Sequence, residues 1–274
     1  MSVKPAAFAI CLASAAILAP ACAPLASSAV ANQSALRAAT AAPTRTAANL
    51  ARDTYRHPVE TLAFFGVRPK DTVVEIWPGG GWYTEILVPY LAQGGGRYIA
   101  AAPERSLTGV RNLVTAQPAA YGSVQFANFP VLAQSPGTPV APGSADVVLT
   151  FRNVHNWMMG KQPFEAEAFA QMYAMLRPGG TLGVVEHRLP ENADAAREKT
   201  SGYIKVSTVR RLAEGAGFRL VAMSEINANP LDNTDYPEGV WTLPPTYRLK
   251  DKDRARYAAI GESDRMTLRF VKPR

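Results

Sequence analysis

The chain has 274 residues, with 29 Lys and Arg against 22 Asp and Glu, which gives a formal charge of +7. This length allows one large domain or two small ones, and a charge surplus of this size does not indicate a nucleic-acid partner unless the basic residues cluster. Both cysteines, Cys11 and Cys22, lie near the start of the chain. The remainder therefore excludes disulfides, cysteine-ligated zinc, iron–sulfur clusters and a cysteine nucleophile.

The first thirty residues have the features of a secretory signal. Lys4 is the only charged residue before Arg37, and an apolar run follows it over 6–18. Because a bilayer span takes about 20 apolar residues, this run is too short to cross a membrane. A lone basic residue, a short apolar run and a later small-residue site are typical of a signal peptide.

The cleavage site that fits best is the sequence Ala-Val-Ala at 29–31. We therefore predict a signal peptide over 1–31 and a protein that is exported to the periplasm or secreted, with no stable membrane insertion after cleavage. An uncleaved anchor is one alternative. Lipid attachment at Cys22 is a less favoured alternative, because Pro20 does not fit the sequence motif for lipid attachment. Residues 32–48 are rich in Ala, Thr and Ser, which predicts a flexible lead-in.

From residue 49 onward, strand-like and helix-like segments alternate. Short β-branched or apolar runs predict buried strands, over 72–77, 97–101, 124–127, 145–151, 181–187, 218–226 and 266–272. Apolar residues at helical spacing predict helices, over 58–65, 82–91, 105–120, 164–176 and 207–214. This order predicts an α/β fold, a Rossmann-like, doubly wound sheet of about seven strands with helices on both faces. We expect a single domain over 49–274 with a polar insertion at 227–264.

A glycine-rich loop follows the first predicted strand. It reads Pro-Gly-Gly-Gly at 78–81, and ligands of open α/β sheets bind at such strand ends. Glycine lets a ligand approach the backbone closely, and the next helix presents free N–H groups. Gly79 and Gly81 fit the first two glycines of a dinucleotide fingerprint, but Thr84 occupies the third position. This mismatch counts against a nicotinamide-dependent oxidoreductase, and a simple tight turn is the alternative for the loop taken alone.

Three segments together carry a family resemblance. They are Glu75 with the glycine loop, the strand and loop over 146–155, and the Pro-Gly-Gly turn with its strand over 176–187. Over roughly 58–272 the chain resembles the class I S-adenosylmethionine-dependent methyltransferases. The phrases EIWPGGGWYTEIL and FRNVHNWM are similar to a small bacterial branch of predicted methyltransferases that are often exported. The resemblance implies that the last strand of the sheet runs antiparallel and that the cofactor is S-adenosylmethionine.

The resemblance also implies a set of cofactor-binding residues. Around the amino-acid part of the cofactor it places one acid and three glycines, Glu75, Gly79, Gly80 and Gly81. It places an acid on the ribose hydroxyls, and in this sequence that acid is missing or displaced to Glu104. Asn128 matches the position that reaches the adenine. Trp77 stands where the family usually has its first glycine.

Polar residues after the fourth and fifth strands are the candidates for substrate contact and chemistry. Arg152 and Asn153 would form a pocket floor that orients the substrate or the cofactor carboxylate. Methyl transfer to a hydroxyl, thiol or amine is helped by a base, and histidine suits that role near neutral pH. His155 follows the fourth strand and His187 ends the fifth, so both are catalytic candidates, with a structural role as the alternative. His57 is interpreted as a cap or surface residue.

No metal site is predicted. His155, Glu186 and His187 could converge, but adjacent residues of a strand point to opposite faces. The predicted function is S-adenosylmethionine-dependent methyl transfer to a small-molecule substrate, with no nucleic-acid partner. The rival is a non-catalytic small-molecule-binding protein on the same fold. Predicted export favours the rival, because S-adenosylmethionine is made in the cytoplasm.

Overall fold

The computed structural model describes residues 1–2 and 23–274. The apolar part of the predicted signal peptide and both cysteines lie outside the described residues. The helices are α1 Ala23–Thr40, α2 Ala47–Leu50, α3 Asp53–Arg56, α4 Pro58–Phe65, α5 Thr84–Ala92, α6 Thr108–Ala116, α7 Pro118–Tyr121, α8 Val154–Met158, α9 Glu165–Met175, α10 Val206–Gly215 and α11 Arg254–Ile260. The strands are β1 Thr72–Ile76, β2 Arg97–Ala101, β3 Gln125–Ala127, β4 Ala145–Phe151, β5 Leu176–Leu189, β6 Ile204–Lys205, β7 Arg219–Ser224 and β8 Arg265–Val271.

The sheet is mostly parallel, with the strand order β3-β2-β1-β4-β5-β8-β7. The first five strands in that order are parallel to one another, and β8 runs antiparallel to both β5 and β7. The short strand β6 pairs with the end of β5 off this path. The predicted doubly wound sheet with an antiparallel last strand is therefore confirmed. The strand order reverses between β1 and β4, which is where ligands of such sheets bind.

Helices bury both faces of the sheet. Val73 of β1 packs into a core that includes residues of α1, α4 and α5, and its neighbour Val74 packs into the opposite core with residues of α9 and α10. This alternation follows from the geometry of a strand, in which successive side chains point to opposite faces. Every residue of β1 is buried, which explains why the central strands are continuous apolar runs.

The segment over 32–48 is not a flexible lead-in, and that prediction is wrong. Its first part continues α1, which packs against α4 and α5 and buries Leu36 and Ala39. Further along, the guanidinium of Arg45 is buried and donates to Asp53 at 2.8 Å. An alanine-rich sequence favours helix as readily as it permits disorder. The composition of this segment does not show that Leu36 and Ala39 lie one helical turn apart and can be buried together.

The segment over 227–264, the predicted polar insertion, lies between β7 and β8. It contains a 3₁₀ turn at Gly239–Thr242 and the helix α11. Residues 240–246 and 262–263 reach the carboxyl end of the parallel strands. Within the described ranges, no helix is both long and apolar enough to cross a bilayer.

Candidate functional site

A cavity of about 320 Å³ opens at the carboxyl ends of β1 and β4. Its walls come from the loops after β1 and β4, from the segment around α2 and α3, and from the insertion before β8. The structure brings seven of the predicted site residues to this cavity, namely Glu75, Gly79, Gly80, Arg152, Asn153, His155 and His187. The other three, Gly81, Glu104 and Asn128, are described by the structure but do not line this cavity.

The two strands that end at the cavity both turn sharply there. Trp77 follows β1 with φ +52°, and Arg152 follows β4 with φ +62°. Side chains other than glycine rarely adopt this left-handed conformation, and such strain persists only where the surrounding structure holds it. Here the Trp77 N–H donates to the Ala101 carbonyl at 2.9 Å, and the Arg152 N–H donates to the Val185 carbonyl at 2.7 Å. Both strained residues line the cavity, which marks it as the candidate site.

The glycine loop presents bare backbone to the cavity. Gly79 and Gly80 are exposed, and a Cβ built on either would meet no atom within 4 Å. Gly81 differs, because it is buried, has φ +85°, and a Cβ there would lie 3.4 Å from Leu113. Its N–H donates to the Pro78 carbonyl at 3.0 Å. Gly81 therefore closes the turn that begins α5, whereas the two preceding glycines leave room for a ligand.

Glu75 is a buried carboxyl group at the cavity wall. Tyr98 donates its hydroxyl to Glu75 Oε2 at 2.5 Å, and the Tyr98 hydroxyl also lies 2.7 Å from Thr84 Oγ1. Burial raises the pKa of Glu75 to about 7, against the hydrogen bond from Tyr98 and the positive charges of Arg152 and Arg56. Near neutral pH this carboxyl can therefore both hold a proton and, when ionised, accept hydrogen bonds from an ammonium group.

Three arginines surround a single carboxylate, Glu262, which also lines the cavity. Glu262 accepts from Arg52 Nε at 2.7 Å, from Arg56 Nε at 3.1 Å and from Arg265 Nη1 at 3.1 Å. Burial and the charge of Arg152 lower the pKa of Arg56 to about 9, and burial lowers that of Arg152 to about 10. Both remain protonated at neutral pH. Burial works against ionisation of Glu262, but the surrounding arginines lower its pKa to about 2.

His155 is held by an acid. Its Nδ1 lies 2.9 Å from Glu186 Oε1, and its backbone N–H donates to Glu186 Oε2 at 3.3 Å. Both side chains are buried, and His155 lines the cavity. Since Nδ1 is engaged, Nε2 is the ring nitrogen left without a protein partner in the described chain. A carboxylate that fixes one imidazole nitrogen in this way orients the other for proton transfer.

His187 lies beside His155, with ring centroids 5.2 Å apart. Its Nδ1 lies 2.5 Å from Ser263 Oγ. Burial, together with the charges of His155, Arg152 and Arg265, holds the pKa of His187 well below its ordinary value. This imidazole is therefore neutral at pH 7 and is a weaker base than an unperturbed histidine. Its position suits hydrogen bonding to a ligand.

The structure corrects one expectation about these residues. Glu186 and His187 were expected to point apart, yet the Glu186 carboxylate turns back to accept the His187 N–H at 2.8 Å. Ligand atoms of His155, Glu186 and His187 consequently lie within 4.8 Å of one another, a spacing that could hold a metal ion. The arginines nearby create a positive field that opposes a cation at this position.

Two of the predicted cofactor contacts lie elsewhere. Glu104 is exposed and pairs with Arg111 at 2.9 Å. Asn128 Oδ1 accepts the Thr138 N–H at 3.0 Å, and the Asn128 N–H donates to the Thr138 carbonyl at 2.8 Å. The loop over 130–144 therefore holds Asn128. The positions that the resemblance assigns to the ribose and adenine are not brought to the cavity.

Trp77 and Asn153 connect the strand ends around the cavity. The Trp77 indole donates Nε1–H to the Phe129 carbonyl at 3.1 Å and packs edge-on against Trp157, with ring centroids 6.3 Å apart. It therefore spans from the end of β1 to the segment after β3. Asn153 Nδ2 donates to the Ile76 carbonyl at 2.9 Å, which ties the end of β4 to the end of β1.

Sequence reasoning missed the arginine wall. Arg52, Arg56 and Glu262 were not identified as site residues, and the structure joins them by ion pairs at the cavity wall. Arg52 and Arg56 are four residues apart, the spacing at which side chains meet on one face of a helix. That spacing is the signal that was available. Nothing in the local sequence indicates that Glu262 faces them.

Comparisons with known proteins identify the fold. No family model matches the chain, and no curated protein matches it. Solved structures do, including a "SAM dependent methyltransferase" from Aquifex aeolicus, with TM-score 0.53, 13% identity, and 88% of this chain and 98% of that chain covered. A putative sarcosine dimethylglycine methyltransferase from Galdieria sulphuraria matches with TM-score 0.54, 13% identity, and 80% and 84% coverage. The cyclase SpnF matches with TM-score 0.52, 14% identity, and 85% and 86% coverage. At these identities the likeness concerns the backbone, and the chain has the fold of the S-adenosylmethionine-dependent methyltransferases.

Proposed function

We propose that the protein transfers a methyl group from S-adenosylmethionine to a small molecule. The observation that carries this proposal is one cavity that contains the open backbone of Gly79 and Gly80, the Glu75 carboxyl and the oriented imidazole of His155. When bound, S-adenosylmethionine supplies a methyl group already activated on a sulfonium. The protein then has to bind and orient the two reactants, exclude water, and take a proton from the methyl acceptor.

The cavity fits the amino-acid end of the cofactor. Gly79 and Gly80 leave space where a side chain would intrude, and they lie just before α5, whose first N–H groups favour a carboxylate. Glu75 offers a buried acceptor for the ammonium group of the same end. Glu75 lies in β1 and the two glycines lie in the loop that directly follows it, so the end of β1 fixes their relative placement.

His155 is the base in this proposal. Glu186 fixes its Nδ1, so that Nε2 takes the proton of the acceptor as the methyl group moves. Trp241 stands edge-on to the His155 ring, with centroids 5.9 Å apart. Together with Val240 and Pro244 it forms the wall contributed by the insertion. An apolar wall at this place keeps water away from the reacting atoms.

A non-catalytic binding protein remains the second candidate, and a specific observation favours it. Trp77 lies at the end of β1 where the family usually has a glycine, while Glu104 and Asn128 are engaged away from the cavity. The adenosyl end of the cofactor would therefore meet different groups from those that the resemblance implies. The cyclase SpnF, one of the similar structures, has the same fold and is named for another reaction.

Replacing Gly80 with valine tests the cofactor site. The new side chain enters space that is open in the structure, so we expect the fold to persist and S-adenosylmethionine binding to be lost. Thermal stabilisation measures this, because a ligand at 100 times its dissociation constant adds about 2.7 kcal/mol to the free energy of unfolding. The titration uses S-adenosylmethionine, S-adenosylhomocysteine and NAD.

The matched control is Gly215→Val. Gly215 is also exposed, has no atom within 4 Å of a built Cβ, and ends α10 away from the cavity. We expect it to bind S-adenosylmethionine like the unaltered chain. Failure of both adenosyl ligands to stabilise the unaltered protein would refute methyl transfer and leave the binding protein. Stabilisation by NAD alone would point to an oxidoreductase.

We also propose that the protein is exported and that the mature chain begins at Asn32. The contacts of α1 support this start, because Asn32 Nδ2 donates to the Val67 carbonyl at 3.1 Å and Asn32 Oδ1 accepts from the Tyr90 hydroxyl, whereas Val30 is exposed. Cleavage after Ala31 would retain these contacts. Expression of the full chain in a bacterium followed by amino-terminal sequencing should give Asn32 in the periplasm or medium, and a cytoplasmic chain that begins at Met1 would contradict the proposal.

A further inference from the structure

The arginine wall of the cavity has hydrogen-bond donors without acceptors. Arg52 Nη2 and Arg56 Nη2 are both buried and have no partner among the described residues. Arg56 is only 3% exposed, yet its side chain lines the cavity. A buried donor without a partner costs folding free energy, and a charged one costs more. Two such donors on neighbouring side chains of one cavity indicate a ligand that supplies the acceptors.

The arginine side chains are already fixed in position. The Arg56 guanidinium lies 4.7 Å from the centre of the Trp82 ring, and the Trp82 indole in turn donates to the Asn49 carbonyl at 2.9 Å. Glu262 holds the Nε atoms of Arg52 and Arg56. Each guanidinium therefore binds the protein through Nε and leaves Nη2 without an acceptor. A planar, fixed donor pair of this kind matches a carboxylate or a phosphate.

Charge balance points to the same class of ligand. The groups that face one another here are the arginines Arg52, Arg56, Arg152 and Arg265 and the acids Glu262, Glu186 and Glu75. Burial raises the pKa of Glu75 to about 7, so this carboxyl is only partly ionised at neutral pH. The wall thus carries a positive surplus, which attracts an anion.

We infer that Arg52 and Arg56 form a subsite for an anionic group, a carboxylate or a phosphate, carried by the methyl acceptor. This inference rests on the proposed function only in assigning the anionic group to the methyl acceptor. S-adenosylmethionine carries a sulfonium and an ammonium against one carboxylate, so its net charge is positive and it adds to the surplus. The acceptor is therefore the molecule that must bring the compensating negative charge.

Titration of the full chain with inorganic phosphate and with benzoate tests the subsite. Calorimetry measures the dissociation constants with and without S-adenosylhomocysteine, in the unaltered protein and in Arg56→Gln. We expect the variant to bind both anions more weakly by about tenfold or more, since one charge-assisted hydrogen-bonded partner is lost. We expect S-adenosylhomocysteine to bind the variant with unchanged affinity and not to compete with either anion.

Two further variants sharpen the test. Arg52→Gln removes the second donor at a side chain that is 25% exposed, so the inference can be tested even if Arg56→Gln does not fold. Arg248→Gln is the matched control, because Arg248 stacks on Trp241 at 4.6 Å but is exposed and pairs with Glu238. It makes the same change in net charge near the same cavity. We expect its affinity for both anions to be unchanged.

Three results are distinguishable. Unchanged anion binding in both arginine variants would overturn the subsite. Competition between phosphate and S-adenosylhomocysteine, with equal losses of both in Arg52→Gln, would assign the arginines to the carboxylate of the cofactor and overturn the inference about the acceptor. Arginine-dependent anion binding without any binding of S-adenosylhomocysteine would refute methyl transfer but leave the anion subsite in place.

Discussion

Replacing His155 with asparagine is expected to lower the rate of methyl transfer by about 10²–10⁴-fold, which is the usual contribution of a general base. The cofactor should still bind, because the open backbone of Gly79 and Gly80 is unchanged. The measurement is the formation of S-adenosylhomocysteine, followed by mass spectrometry, after the protein is mixed with S-adenosylmethionine and a pooled extract of small molecules.

His57→Asn is the matched control for this experiment. His57 lies between α3 and α4 with φ +40° and lines a different surface hollow, and asparagine tolerates that left-handed conformation. Its rate should equal that of the unaltered protein. If His155→Asn retained the full rate, His155 would have no part in proton transfer, and the neutral His187 would be the next candidate.

Replacing Glu262 with glutamine is expected to lower the free energy of unfolding by about 3–5 kcal/mol at pH 7, the usual effect of removing one partner from a buried ion pair. Glu262 is the common partner of Arg52, Arg56 and Arg265. Its removal leaves these cations facing one another in a buried wall. Denaturation by urea, monitored by tryptophan fluorescence, measures the change.

The pH dependence of that difference has a defined sign. The pKa of Glu262 falls from 4.5 to about 2 on folding, so ionised Glu262 stabilises the folded chain at all pH values above about 4.5. This stabilisation is lost as the pH falls from 4.5 towards 2, because the carboxylate becomes protonated in both states. The difference between the unaltered chain and the variant should therefore shrink over that range.

Glu225→Gln serves as the control for Glu262→Gln. Glu225 also pairs with an arginine, Arg188, at 2.7 Å, but its side chain is 67% exposed. The same chemical change should cost less than about 1 kcal/mol there. Equal losses in the two variants, or a difference that persists unchanged at low pH, would show that the buried arginine wall does not depend on Glu262.

The sheet could be predicted from the sequence because its strands are local and apolar. The segments over 97–101 and 145–151 and the helix over 58–65 were predicted with the bounds that the structure has. Burial on both faces imposes continuous β-branched runs, and glycine or proline ends them. The same periodicity placed the glycine loop and His155 at the carboxyl edge of the sheet, where the cavity lies.

Other features depend on tertiary contacts that no local pattern encodes. Strand geometry predicted that the side chains of Glu186 and His187 point to opposite faces. The flexible Glu186 side chain instead turns back, and its carboxylate accepts the His187 N–H. The left-handed conformation of Trp77 is held by contacts with β2 and the segment after β3. The partnership of Arg52 with Glu262 joins residues that are 210 positions apart in the chain.

That separation has a consequence for the order in which the molecule folds. Closing a loop of 210 residues costs more chain entropy than pairing neighbouring strands, so the wall made by Arg52 and Glu262 forms after the sheet has brought both ends of the chain together. A ligand of the cavity then binds only a chain whose two ends have already docked. Tight binding therefore reports completed folding.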